Sequence, residues 1–292
     1  MRVPDGLRWW SAQDGGAEWL AALPSLAAEC AEQWELRLGD PFEPATISLV
    51  VPAEQSDGTP AVLKITFPQA ESEHEPAALA HWKGDGAARL LEADAGRAAL
   101  LVERLDPARM LRHLPDEVVA NSIAADVLRR LWSVPPAPGA PFIRLEEAVK
   151  TWAAAAARRP PTQPRLVDLA AGFARELLPS PGEPAVLHQD FHGGNVLFDE
   201  RRGWLAIDPK PLVGERAFDC AALVRDRRTE LMRDPAPLNR IRGRLDQLAD
   251  ELELDRERIR GWAVVHAVAW GGETGPGWDP AMVACAGWLA EA

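Results

Sequence analysis

The stretch Val186-Leu187-His188-Gln189-Asp190-Phe191-His192-Gly193-Gly194-Asn195-Val196-Leu197-Phe198 carries the residues best placed to do chemistry, and Trp204-Leu205-Ala206-Ile207-Asp208 completes them. An apolar run enters a polar loop with two glycines, and a hairpin turning between Asp199 and Gly203 follows. In an antiparallel hairpin the start of one strand lies beside the end of the other. Asn195 and Asp208 are therefore expected at one rim, with Gly193 and Gly194 letting the backbone turn just before them. An amide oxygen and a carboxylate form a hard-oxygen site suited to Mg²⁺. A second carboxylate nearby can accept a hydroxyl proton. These are the parts of a phosphoryl-transfer site, with Asp190 as catalytic base and Asn195 and Asp208 as metal ligands. The plain alternative is turn chemistry alone, and the agreement of motif and hairpin weighs against it.

Phosphoryl transfer also needs a cation on the donor's phosphates. Only four of the 32 basic residues are lysines, and Lys64 lies inside the strand-like run Ala61-Val62-Leu63-Lys64-Ile65. A lone charge in an apolar strand is costly unless paired or liganded. Glu71, Glu73 and Glu75 follow in the next helical stretch. Pro76 is tolerated best in a first turn, so the regular helix is expected to begin near Glu75, and the choice between Glu71 and Glu75 stays open. The segment Gly39-Asp40-Pro41-Phe42-Glu43-Pro44-Ala45 holds a single glycine. Fewer backbone donors are expected there than in an ordinary glycine-rich phosphate loop, with Thr46 or Ser48 as substitutes.

The elements that must hold these groups follow from periodicity. Helical spacing covers 14–33 and 71–83, and β-branched runs cover 46–51 and 61–67, with Asp57-Gly58 as hairpin chemistry between them. A second hairpin spans 88–103 around Asp94-Ala95-Gly96. Beyond Pro107 the texture turns helical, at 116–133, 143–158, 165–178, 217–231, 238–251, 255–270 and 279–291, punctuated by proline clusters. Only the strands at 185–187, 196–198 and 204–207 interrupt it.

Composition narrows the function. Thirty-two basic against 44 acidic residues give a net charge of −12, which is no footprint for a nucleic-acid partner. No apolar run is long enough to span a membrane, and the N-terminus lacks a signal-peptide core. The three scattered cysteines, Cys30, Cys220 and Cys285, form no metal or disulfide pattern. A cytoplasmic protein is expected.

His188-x-Asp190-x-x-x-x-Asn195 followed by Ile207-Asp208 resembles the aminoglycoside phosphotransferase variant of the protein-kinase catalytic loop and metal-binding aspartate. The longer run, with Asp208-Pro209-Lys210 and Gly214-Glu215-Arg216-Ala217-Phe218-Asp219, resembles the streptomycin 6-kinase and hydroxyurea phosphotransferase branch, over about Trp34 to Glu273. The resemblance implies an α+β, protein-kinase-like fold: a small β-rich lobe over 1–104 and a larger, mostly helical lobe over 105–292. It implies ATP and Mg²⁺ as cofactors, Lys64 on the nucleotide with Glu75 as its matching partner, and adenine held by the backbone around Glu103 and Leu105. It implies transfer to a hydroxyl of a streptomycin-like aminoglycoside, conferring resistance, with hydroxyurea or a metabolite as the alternative acceptor and a nucleotide binder without turnover as a third reading. From Gly261 to Ala292 there are acids and tryptophans but no Lys or Arg, which suits a cationic small-molecule acceptor. Trp270-x-x-Glu273 resembles a pattern of the same branch and nominates Trp270 and Glu273 for that acceptor. Oligomeric state is left open.

Overall fold

The computed structural model describes residues 1–69, 72–157, 163–271 and 278–292. The chain divides into two compact units, Met1–Asp106 and Pro107–Ala292, and its mixed architecture is the expected α+β class: a sheet-centred first unit and a mostly helical second.

In the first unit a 3₁₀ segment, Asp5–Ala12, precedes α1 (Gly16–Gln33) and the strands β1 (Arg37–Leu38), β2 (Ser48–Glu54) and β3 (Pro60–Thr66). Then come α2 (Glu75–Trp82), β4 (Leu90–Asp94) and β5 (Ala99–Glu103). The strands form one antiparallel sheet in the order β1-β2-β3-β5-β4. Because side chains alternate along a strand, Leu49, Val51, Leu63 and Ile65 share one face, where they pack with Trp10, Trp19, Leu23, Ala27 and Cys30. Lys64 pairs with Val50 and Leu100 and so belongs to the opposite face of the central strand. The helix expected over 71–83 begins at Glu75, with Pro76 inside its first turn, where a missing N–H costs nothing. Strand β2 runs on through Pro52 to Glu54, three residues past its expected end; the Pro52 carbonyl accepts from the Gly39 N–H at 2.8 Å.

In the second unit β6 (Ile143–Arg144), β10 (Leu212–Glu215) and β7 (Pro184–Leu187) form a small sheet in the order β6-β10-β7. A separate hairpin joins β8 (Val196–Asp199) to β9 (Gly203–Ala206). Around them stand α3 (Glu117–Leu131), α4 (Leu145–Ala157), α5 (Pro164–Leu177), α6 (Cys220–Val224), α7 (Arg228–Leu231), α8 (Pro237–Leu252), α9 (Arg256–Trp270) and α10 (Pro280–Glu291). Asp116, Asp255 and Asp279 cap α3, α9 and α10 by accepting backbone N–H bonds, as N-cap residues do. Helix α9 is buried from Gly261 to Ala269 without interruption, so it is the core helix of this unit.

Two differences from the sequence reading bear on the site. Strands β6 and β10 were not expected, being two and four residues long. The continuous helix expected over 217–231 is instead a 3₁₀ turn, Arg216–Asp219, then α6, a break, and α7. At the break Arg227 takes the left-handed conformation, φ 54°, and Asp226 is drawn off to the glycine loop described below. No helix among the described residues is long and apolar enough to cross a membrane.

Candidate active site

In the first unit Lys64 and Glu75 meet. The Lys64 ammonium donates to both Glu75 carboxylate oxygens, at 2.7 and 2.6 Å, with side chains only 10% and 3% exposed. Strand β3 supplies the cation and the first turn of α2 the anion. Removing one partner of such a buried pair typically costs about 3–5 kcal/mol, because the other charge is stranded. Glu71, the competing candidate, lies outside the described residues. Further along the same unit, the Glu103 N–H donates to the Arg89 carbonyl and the Glu103 carboxylate accepts from the Arg89 N–H at 2.7 Å. Leu105 is buried, 8% exposed.

In the second unit the loop after β7 is held from beneath by Asp219. Its carboxylate accepts from the backbone N–H of His188 (3.0 Å), the N–H of Gln189 (2.7 Å) and the Trp132 indole N–H (3.0 Å). Asp219 is fully buried, and burial pushes its carboxyl up to about 6 against those three donors. Gln189 is thereby held at φ 67°, a left-handed conformation that costs a non-glycine residue about 1–2 kcal/mol. His188 is also fully buried, and burial pushes its imidazole down to about 3. The neutral ring donates from Nε2 to the Ile207 carbonyl at 2.9 Å. His188 therefore braces the loop from inside.

On this base Asp190, Asn195 and Asp208 come together. Asn195 donates through Nδ2 to the Asp190 carbonyl (3.0 Å) and to Asp190 Oδ2 (3.3 Å), which leaves the amide oxygen as its acceptor. The hairpin ladder pairs Val196 with Ala206 and continues through the Ile207 N–H to the Asn195 carbonyl at 2.9 Å, so Asp208 stands at the Asn195 rim. Asp208 has φ 57°, and Lys210 donates to its Oδ1 at 2.6 Å. Burial raises the Asp190 carboxyl; His192 and Lys210 oppose that rise and Asp208 reinforces it. His192 Nδ1 accepts from the Gly194 N–H at 3.0 Å, which puts its proton on Nε2, 3.7 Å from Asp190 Oδ1. The Gly193 N–H donates to Asp226 Oδ2 at 2.7 Å, and a Cβ on Gly194 would run into the Arg112 guanidinium. Asn195 and Asp208 offer hard oxygens, the donor chemistry Mg²⁺ takes. Among the described residues no cluster of three or more His, Cys, Asp or Glu could hold a metal by itself, so phosphate oxygens and water would have to complete such a shell.

Beside Asp190 opens a cavity of about 320 Å³ whose wall includes His192, Arg112, Arg225, Asp226, Arg227 and Arg228. Its arginines were not singled out from the sequence: Arg225, Arg227 and Arg228 fall within the stretch that reads as one helix, and Arg112 in the connection before α3. Trp270, expected to meet the acceptor, packs on His266 at 4.4 Å between ring centroids, with the Arg225 guanidinium 5.9 Å from the Trp270 ring. Glu273 lies outside the described residues.

Residues 35–276 match the profile of a family described as aminoglycoside/hydroxyurea antibiotic resistance kinase. The chain is 39% identical to a streptomycin 6-kinase from Streptomyces griseus over 277 residues, covering 90% of this chain and 88% of that one. It is equally 39% identical to a hydroxyurea phosphotransferase from Kitasatospora aureofaciens over 269 residues, 87% of this chain and 73% of that one. Among solved structures it resembles a thermostable mutant of aminoglycoside phosphotransferase APH(4)-Ia in ternary complex with ADP and hygromycin B. That match has a TM-score of 0.61 at 13% identity and covers 90% of this chain and 95% of the other, a likeness of fold.

The three donors converging on Asp219 set an expectation for stability. Asp219→Ala strands two backbone N–H groups and an indole N–H in the interior, each unmet donor costing about 1–3 kcal/mol. Urea unfolding is expected to show a loss of at least about 2 kcal/mol, with Asp190 displaced and activity lost beyond what the stability change explains.

Proposed function

From membership of the aminoglycoside/hydroxyurea antibiotic resistance kinase family, to which this chain belongs, we propose that it transfers the γ-phosphoryl group of ATP to a hydroxyl of a streptomycin-type aminoglycoside, and so confers resistance. The observation that carries the reading is the loop that joins a half-buried carboxylate, Asp190, to the Asn195 amide and the Asp208 rim. Asp190 is the catalytic base: it orients the acceptor hydroxyl and takes its proton as the O–P bond forms. Lys64, fixed by Glu75, neutralises the α- and β-phosphates. Adenine bonds to the backbone between Glu103 and Leu105. Asn195 and Asp208 would hold Mg²⁺, which when bound would supply positive charge to the phosphates of the donor. Lys210 meanwhile keeps the Asp208 carboxylate oriented. Three buried, unpaired cysteines suit a reducing cytoplasm.

The acceptor assignment rests on two streptomycin 6-kinases, at 39% and 37% identity. A second reading, hydroxyurea as acceptor, is favoured by the equal identity to the hydroxyurea phosphotransferase and by the arginines beside Asp190, which do not need a cationic partner.

Activity and binding measurements test these assignments. With ATP and Mg²⁺, phosphorylation of streptomycin is expected to exceed that of hydroxyurea; turnover of hydroxyurea alone overturns the aminoglycoside assignment. Asp190→Asn is expected to lower kcat by roughly 10²–10⁴-fold, the usual contribution of a general base, with ATP binding intact. Because burial raises the Asp190 carboxyl and the base must be deprotonated, the acid limb of kcat/KM in the wild type is expected above the pH at which an exposed aspartate titrates, and absent in Asp190→Asn. Asp208→Ala is expected to weaken MgATP binding by roughly tenfold or more, as loss of support at a metal site does, while metal-free ATP binding hardly changes. Asn195→Ala is expected to do so less, since an amide carries no formal charge. Equal MgATP affinity in wild type and Asp208→Ala would remove Asp208 from the metal site.

A further inference from the structure

Charge is unevenly matched around the cavity beside Asp190. Its wall carries four arginines against Asp190, Asp226 and Glu230. Arg112 reaches Asp226 only at 3.9 Å and Arg227 reaches Glu230 only at 3.9 Å. Arg225 and Arg228 have no carboxylate in ion-pair contact among the described residues. Arg225 is the sharper case, being 1% exposed. Its nitrogens are satisfied by neutral groups: the Met282 sulfur at 3.4 Å, the Ala221 carbonyl at 3.0 Å and His266 Nδ1 at 2.5 Å. Burial, with Arg225 next to it, drives His266 well below its ordinary value, so the imidazole stays a neutral acceptor. Burial and Arg228 pull the Arg225 guanidinium down to about 10, which leaves it charged at neutral pH. A buried charge with no carboxylate in contact among the described residues is costly to hold.

We infer that this cavity is an anion site, built to receive the phosphoryl group on the acceptor oxygen as transfer completes, with Arg225 as its buried anchor and Arg228 as its exposed one. The inference rests on the phosphotransferase reading and deepens it. In the free protein the charge of Asp190 acts on Arg225 from a distance. During transfer the acceptor O–P bond forms, the bond from phosphorus to the bridging oxygen breaks with its electron pair leaving on ADP, and the hydroxyl proton passes to Asp190. Asp190 is then neutral, and Arg225 loses part of the opposing charge that acts on it as a phosphomonoester dianion appears in the cavity. The guanidinium planes fit phosphate oxygens in paired hydrogen bonds. A guanidinium or ammonium of the acceptor would meet repulsion in the same place, so the acceptor's cationic groups belong elsewhere.

Inorganic phosphate is the probe, followed by ³¹P line broadening and calorimetry without any acceptor, so the result does not depend on whether streptomycin or hydroxyurea is the substrate. Wild type is expected to bind phosphate in the presence of saturating ADP. Arg228→Gln, on the surface and safe for folding, is expected to weaken phosphate by roughly tenfold, and Arg225→Gln by ten- to a hundredfold, the range for losing a charge-assisted bond. Arg225→Lys is expected to restore part of the loss, and ADP affinity to stay within about twofold throughout. No measurable phosphate binding by wild type, expulsion of phosphate by ADP, or unchanged affinity in Arg228→Gln and Arg225→Gln would overturn the inference.

Discussion

A catalytic loop that is neither helix nor strand must find partners for its amides elsewhere, and here one buried carboxylate meets that demand. Asp219 takes two consecutive loop amides and the indole of Trp132, the residue that ends α3. It thereby ties the loop, the 3₁₀ turn Arg216–Asp219 and α3 into one piece. The cost is plain in its own titration, pushed up to about 6 by burial; a carboxylate without such donors could not remain ionised there. Everything above it inherits that fixation. Gln189 is held left-handed, Asp190 follows it at the loop's crest, and Asn195 closes the loop by bonding back to Asp190.

The same economy governs charge. Asp190 is raised by burial and lowered by His192, Lys210 and Arg225. Lys210 rests on Asp208, so the rim where a divalent cation would be held already has a cation of its own. In the first unit the Lys64 ammonium is paired with the Glu75 carboxylate at 2.6 Å. Arg225, by contrast, has no carboxylate in ion-pair contact among the described residues. A matched pair orients a side chain; an unmatched one attracts a ligand.

Much of this was legible in one dimension because it depends on short-range order. The spacing of Asp190, Asn195 and Asp208 around a hairpin fixes their proximity through local pairing, and Pro76 marks the first turn of α2 that delivers Glu75. Lys64 stood out because lysine is so scarce in this chain. What stayed hidden depends on long-range packing. Strands β6 and β10 are too short to show a period, and the break between α6 and α7 is invisible because its cause, Asp226 reaching Gly193 thirty-three positions away, lies in another element. The residues at 217–231 read as one helix, and only the break turns Arg225, Arg227 and Arg228 toward one cavity.

That break also reframes the reading of charge. The segment from Gly261 to Ala292 has acids and no Lys or Arg, which taken alone suits a cationic acceptor. Yet α9 is buried from Gly261 to Ala269, with Trp262 1% exposed, and of the segment's acids Asp279 caps α10. The field beside Asp190 comes instead from Arg112 and from Arg225, Arg227 and Arg228 around the break between α6 and α7, and it is positive on balance. A small neutral acceptor tolerates such a wall. A guanidinium-bearing one must present its reacting hydroxyl on a face turned away from its own cations. Electrostatic complementarity here therefore selects the orientation of the acceptor before it selects its identity, because repulsion excludes wrong poses as firmly as attraction rewards the right one.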